Sequence, residues 1–269
     1  MVNLETAITT GGTAALKQYV FRAPPAAFIA LRAAGIDVAT IANNHGMDYG
    51  LQGLRDTLAA AALARFPVVG AGLDDDQAVA PYRVTVKGTR LAVFGATQVL
   101  DDQVAAAWTA APGHPGLASA KHQTRLLDAV RRVRGEVDAV VVYLHSGQER
   151  MSCPTSSQRD LTDALLRSGA DVVVSSHAHV LLGSGWRGQS YVAYGLGNFA
   201  FYAAGSGPQT ETGVLRLTLL GNRVQRALWL PARIRAGIPT QVTAMAAAQA
   251  RQRQVALRAC AGLAPAPAT

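Results

Sequence analysis

Cysteine is nearly absent from this sequence. Cys153 and Cys260 are the only two in 269 residues, too few and too far apart for a disulfide framework or a cysteine-ligated zinc site. They assign no redox compartment. Aromatic residues make up 6%, so the core of a chain that is 49% hydrophobic must be built largely from Ala, Val and Leu. Lysine is scarce as well: Lys17, Lys87 and Lys121 are the only three among 25 basic residues. An Arg-rich, Ala-rich balance of this kind follows genome base composition more readily than a functional demand. No window approaches the ~18–20 uninterrupted apolar residues of a spanning helix, and the start lacks the basic and apolar regions of a signal peptide. The chain as it stands therefore carries no expected export signal or anchor.

Acidic residues are missing from one region altogether. Residues 1 to 211 hold 17 basic and 17 acidic side chains, which cancel. After Glu211 the chain contains Arg216, Arg223, Arg226, Arg233, Arg235, Arg251, Arg253 and Arg258 and no Asp or Glu, so this segment supplies the whole formal charge of +8. A nucleic-acid domain would carry its basic stripe on the folded body, interleaved with aromatics, and this body is neutral. No nucleic-acid partner is expected. The basic segment suits an anionic polymer or an acidic membrane surface, or simply a solvated extension.

What is present is an alternation of helix and strand patterns over one domain of ordinary size. Pro24-Pro25 predicts a helix over Ala26 to Ala34, ended by Gly35, and Ile36 to Ala42 reads as a buried strand. A helix over Leu51 to Ala64 is followed by the apolar run Pro67 to Val69. Tyr82 to Val86 and Arg90 to Phe94 form an expected hairpin across Lys87-Gly88-Thr89. Asp101 to Gly116 reads as a long loop. Then come a helix over Lys121 to Arg134, a strand over Ala139 to Leu144, a helix over Ser157 to Arg167 and a strand over Asp171 to Val174. Tyr191 to Tyr194, Gly213 to Leu220 and Val224 to Leu230 are expected strands, the last two joined at Gly221-Asn222. Beyond Pro231 the pattern predicts a helix over Val242 to Arg258 and a mobile Pro-Ala terminus.

Three expected strands end in metal-competent groups: Asn44-His45, His145, and His177-Ala178-His179. In open α/β sheets ligands collect beyond the carboxyl ends of strands, so these segments can converge although they are distant in sequence. A one-residue gap lets His177 and His179 reach a shared site from an irregular turn. Imidazole suits Zn, Mn, Fe or Ni, while an Asn carbonyl and a carboxylate favour the harder members of that range. A two-metal hydrolytic site fits this donor set. Each residue also has a plainer reading. Asn43 and Asn44 can form turns, Asp48 can cap the following helix, and His114 and His122 read as loop or surface residues.

The ordered motifs resemble those of the bacterial CapA family of capsule and poly-γ-glutamate synthesis proteins, whose domain is related to calcineurin-like metallophosphoesterases. The carriers are Asn3-Leu4-Glu5, Phe21-Arg22-Ala23-Pro24-Pro25, Ala42-Asn43-Asn44-His45 with Asp48-Tyr49-Gly50, Gly70-Ala71-Gly72, His145-Ser146-Gly147-Gln148-Glu149, Ser176-His177-Ala178-His179-Val180 and Tyr194-Gly195-Leu196-Gly197-Asn198-Phe199. The resemblance implies an α/β fold, a four-layer αββα sandwich, over residues 1–235, with 236–269 as an Ala/Arg-rich tail. It implies two divalent metal ions of the Mn, Fe or Zn type. Glu5 would bridge them, Asn44, His145, His177 and His179 would be ligands, and His45 would be the general acid, oriented by Asp48. Implied partners are an anionic polymer or phosphoester substrate and polymer-synthase subunits, at the bacterial cell envelope. Membrane contact would come through a full-length N-terminus or the Arg-rich tail.

The sequence departs from the family at three residues and in one missing segment. Ser146 and Arg150 stand where members carry Trp and Tyr, and Ser175 replaces a Gly. Members also begin with a strand ending in Gly-Asp, whose Asp would be a first-metal ligand. Here Met1 directly precedes Val2-Asn3-Leu4-Glu5, so the first strand and that Asp are lacking. The expectation is a truncated reading frame whose start, with any export signal or anchor, lies upstream. The alternative is a degenerate member with an impaired metal site, acting as a non-catalytic polymer-binding or synthase-assembly component.

Overall fold

The computed structural model describes residues 1–202 and 205–268. It shows a mixed α/β fold built around a six-stranded sheet. Its order is Ser184–Arg187, Ser190–Ala193, Val172–His177, Ala139–Ser146, Thr89–Thr97, Tyr82–Val86. Val172–His177 pairs in parallel with Ser190–Ala193, which pairs antiparallel with Ser184–Arg187. Every residue of Val172–His177 is buried, which explains its unbroken apolar run in place of alternation.

The described residues fall into two compact units. The first comprises residues 1–84, 92–129 and 143–145. It contains a small parallel sheet, Val2–Asn3 beside Ala39–Thr40 beside Val68–Val69. One apolar cluster here joins Ile8, Phe28, Ala39, Ala61 and Phe66, and another joins Ile41, Met47, Leu54, Leu117 and Trp108. Between them runs the segment leading into Asn43 and Asn44. Gly70 is essential to its fit: its φ is +89°, and a Cβ there would lie 2.5 Å from the Ala42 Cβ. Gly70→Ala is therefore expected to cost about 1–3 kcal/mol by overpacking and backbone strain, read as a shifted urea midpoint. A midpoint equal to wild type would show that this close approach is relaxed at no cost.

Asp101 to Gly116 is not a continuous loop. Asp102–Trp108 is a helix, because Val104, Ala105 and Trp108 place an apolar face against the second cluster. The helix expected from Lys121 starts at Thr124.

The second unit comprises residues 85–91, 130–142 and 146–269. Thr155 opens the helix Ser156–Arg167 with a capping box, its hydroxyl accepting the Gln158 N–H while the Gln158 side chain takes the Thr155 N–H. A second antiparallel sheet runs Glu211–Leu220, Arg223–Arg235, Ile238–Gln241. The middle strand continues past Leu230, where the sequence pattern predicts its end. Pro231 lies opposite Gly213 in the pairing, and the strand turns only at Ala236-Gly237, both with positive φ.

The C-terminal segment is folded onto the second unit. Thr243 caps the helix Ala244–Ala261, and Gly262 ends it in the left-handed conformation. Leu257, Ala261 and Leu263 are buried. Arg159 donates to the Cys260 and Ala261 carbonyls, and Ala264 pairs with Trp186 through backbone hydrogen bonds. The Pro-Ala end is thus paired in part, and the last residue of the expected tail, Thr269, lies outside the described residues. The cysteines also depart from expectation. Cys153 and Cys260 form a disulfide, with Cα atoms 5.7 Å apart across 107 residues of sequence. Sequence distance excludes a framework, but it does not exclude one long-range bridge.

Candidate functional site

Glu5, Asn44, His45, Asp48 and His145 come together in the first unit. Glu5 follows the edge strand Val2–Asn3, Asn44 and His45 follow Ala39–Thr40, and His145 lies near the end of Ala139–Ser146. Glu5 and Asn44 lie beyond the carboxyl ends of their strands, and His145 is the penultimate residue of its own. His145 is fully buried, and its Nε2 lies 2.8 Å from the Asn44 Oδ1 and 3.5 Å from a Glu5 carboxylate oxygen.

Two further asparagines hold this trio. The Asn3 amide donates to Glu5 at 2.8 Å and lies 3.5 Å from the other ring nitrogen of His145. Asn43, fully buried, donates to the Asn3 side chain and the Leu4 carbonyl, and accepts the His45 N–H. Asn43 is therefore a brace between two strand ends, and Asn44 faces the donors.

His45 and Asp48 form a second group. The Asp48 carboxylate is inaccessible to solvent and accepts three hydrogen bonds: from the His45 Nδ1 at 2.6 Å, the Lys17 ammonium at 2.9 Å and the Phe21 N–H at 2.7 Å. An ionised carboxylate only accepts, so the contact places the His45 proton on Nδ1 and leaves Nε2 as the nitrogen that exchanges a proton. The Phe21 ring stands 4.4 Å from the imidazole and limits its rotation. Lys17 also donates to the Asn44 carbonyl and lies over the Trp108 ring at 5.0 Å.

His177 and His179 lie in the second unit. Both have positive φ, +111° and +56°, a conformation that the tight turn after Val172–His177 imposes and that costs about 1 kcal/mol or more per residue. Such strain is retained where the surroundings over-determine it. One donor atom each of Glu149, His177 and His179 lies within 4.8 Å of the others. The His179 Nδ1 lies 2.7 Å from the Asn198 Oδ1, a contact that fixes the orientation of the ring. Arg150 donates its N–H to the Ala178 carbonyl, tying the Glu149 loop to the histidine turn.

Four residues of this arrangement were not assigned roles from sequence: Asn3, Lys17, Glu149 and Asn198. Three of them sit inside the motifs quoted above, and motif position was the available signal. Lys17 had only its rarity to mark it. His114 accepts its plain reading, a half-buried loop residue whose Nε2 lies 3.0 Å from the Ala107 carbonyl.

The donor chemistry fits divalent cations of the expected kind. Each unit presents a carboxylate and imidazole nitrogens, supplemented in the first by an amide oxygen and fixed in both by hydrogen bonds behind the donors. No thiolate contributes, since both cysteines are bridged.

Comparison with known proteins gives a consistent result. The family described as "Bacterial capsule synthesis protein PGA_cap" matches residues 1–203. The chain is 36% identical over 166 residues to "PGA biosynthesis protein CapA" of Bacillus subtilis, covering 61% of this chain and 42% of that protein. It is 32% identical over 218 residues to "Capsule biosynthesis protein CapA" of Bacillus anthracis, covering 80% of this chain and 52% of that protein. It is 31% identical over 187 residues to a "Probable polyglutamine synthesis accessory protein" of Mycobacterium tuberculosis, covering 66% and 49%. The chain thus spans about half the length of these relatives.

Proposed function

The chain belongs to the bacterial capsule synthesis protein family, and on that premise we propose that it is a metal-dependent, phosphoesterase-like hydrolase domain serving synthesis or release of an anionic envelope polymer of the poly-γ-glutamate type. The observation that carries the reading is the donor trio of Glu5, Asn44 and His145 beside an imidazole backed by a buried carboxylate. The finer architecture proposed with it is the four-layer αββα sandwich of metallophosphoesterases without its first strand. The alternation of parallel strands and helices supports it.

Glu5, Asn44 and His145 would hold one divalent cation, and Glu149, His177 and His179 another. When bound, such cations lower the pKa of water and stabilise charge on attacking and leaving oxygens. The protein's own part follows from its hydrogen bonds. Asn3 and Asn198 orient the imidazole donors. Asp48 accepts the Nδ1–H of His45 and would stabilise the imidazolium form, whose second proton, on Nε2, passes to the departing oxygen and leaves the neutral Nδ1–H ring. Lys17 pairs with Asp48 at 2.9 Å and gives the buried carboxylate an opposite charge as partner. Polymer-synthase subunits are the proposed partners, in line with the accessory role named for the mycobacterial relative. The cell envelope is the proposed location, and the disulfide supports it, because such bonds persist in oxidising compartments. Among the described residues no helix is long and apolar enough to cross a membrane.

The test is metal content. The protein, loaded with Mn²⁺ or Zn²⁺ and dialysed, is expected to retain bound metal by plasma mass spectrometry. His177→Ala should weaken retention about 10- to 100-fold while leaving the circular dichroism spectrum unchanged. Metal at background in the unmodified protein, or retention unaffected by the substitution, would overturn the reading.

A further inference from the structure

The antiparallel sheet of the second unit has one face that the proposed hydrolytic chemistry does not use. The pairs Val214 with Leu230, Arg216 with Leu228 and Thr218 with Arg226 are directly opposed, so these six residues share a face. A register shift between Thr218 and Leu219 follows, after which Leu220 opposes Arg223 at the hairpin end. The shift keeps both faces consistent: Leu215, Leu217 and Leu219 oppose Trp229, Ala227 and Val224 on the other side, where Val224 is buried.

The Arg-bearing face is open. Arg216, Arg223 and Arg226 are exposed, and among the described residues none of them forms a salt bridge. Elsewhere guanidinium groups are held by carboxylates: Arg90 by Asp138, Arg134 by Asp171, Arg187 by Asp163, and in the first unit Arg125 by Asp75. Here no acidic residue follows Glu211, and Glu211 itself is taken by Arg253. Val214, Leu220 and Leu230 are exposed beside the arginines, at 47%, 70% and 42%. Same-face residues along a strand stand about 6.8 Å apart, so the face presents guanidinium forks at intervals with aliphatic surface between them.

We infer that this sheet face binds a flexible chain of carboxylates, a poly-glutamate segment. The guanidinium forks of Arg216, Arg223 and Arg226 take carboxylate groups, and Val214, Leu228 and Leu230 take the methylenes between them. Charge complementarity selects the occupant: a face with three unopposed cations and no anion gains most from a ligand that is anionic at every repeat. The inference rests on the capsule-polymer part of the proposed function, and is independent of its metal chemistry.

The experiment uses the full chain and fluorescently labelled poly-γ-glutamate of defined length, titrated by anisotropy at low and at physiological salt. The triple variant R216Q/R223Q/R226Q is expected to bind about tenfold more weakly, with a flatter salt dependence. A charge-matched control, R132Q/R167Q/R251Q, removes three exposed arginines from helices and is expected to bind within about twofold of the unmodified chain. Equal losses in both triples would reduce the effect to net charge and overturn the inference. So would binding to phosphatidylglycerol vesicles with none to the polymer. Metal content measured on the same samples separates the two readings: polymer binding without metal defeats the hydrolase, and metal without polymer binding defeats this face.

Discussion

Asp48→Ala is expected to lower the stability of the protein by about 3–5 kcal/mol, the cost of breaking a buried ion pair from one side. The carboxylate is wholly buried and Lys17 is 9% exposed, so the substitution strands an ammonium beside an indole ring and a main-chain carbonyl. Asp101, the other acid near Lys17, is 3.9 Å away and half exposed, and replaces little of the lost interaction. The Phe21 N–H and the His45 Nδ1 lose their acceptor together. Urea denaturation with an unchanged slope measures the loss as a shift in midpoint. Asp48→Asn keeps the shape and removes the charge, and should show most of the same loss. Under the proposed function, turnover of bis(p-nitrophenyl) phosphate should fall about 10²- to 10⁴-fold in the same variant, since His45 loses the contact that fixes its tautomer. A midpoint within about 0.5 kcal/mol of wild type would remove Asp48 as the centre of this group.

The second large effect concerns Cys153 and Cys260. Their bridge closes a loop of 107 residues, and chain-entropy reasoning assigns a loop of this order a stabilisation near 4–5 kcal/mol, with measured losses of about 2–5. Cys260→Ser should therefore lower the melting temperature by about 5–15 °C, and a reductant should do the same to the unmodified protein. The loss should begin at the C-terminal helix, which the bridge holds to the segment just after Glu149. Scanning calorimetry with and without reductant reads the effect. Two titratable thiols in the native, oxidised protein would contradict the bridge outright.

The parts of the molecule legible in sequence are those with local signals. The strand ends carrying Asn44, His145 and His177 were visible because apolar runs stop abruptly at polar, metal-competent groups. The turns at Gly35, Lys87-Gly88 and Gly221 were visible because each takes positive φ where the residue types allow it. The misses share a different cause. Lys17 lies 31 residues from Asp48, in a stretch without secondary structure, so no periodicity points to it. The helix Asp102–Trp108 is seven residues long, and its apolar face has meaning only against a core assembled from elsewhere. The disulfide joins residues whose separation argues against pairing until the C-terminal helix is seen docked. Asn198 and Glu149 needed the same tertiary information to become neighbours of the histidine turn.

The link between Arg150 and the histidine turn has an evolutionary consequence. Arg150 contributes its backbone there: it sits at φ +61° and gives its N–H to the Ala178 carbonyl. A position that acts through its main chain tolerates drift in its side chain, so Arg in place of the Tyr expected from the family resemblance leaves the tether between the Glu149 loop and the histidine turn intact. The same logic makes the site more robust to sequence divergence than its motif suggests, and moves the true constraint at Arg150 onto its dihedral angles. Glycine or asparagine should be accepted there readily, and proline, which can neither donate nor reach that φ, should be excluded from any functional relative.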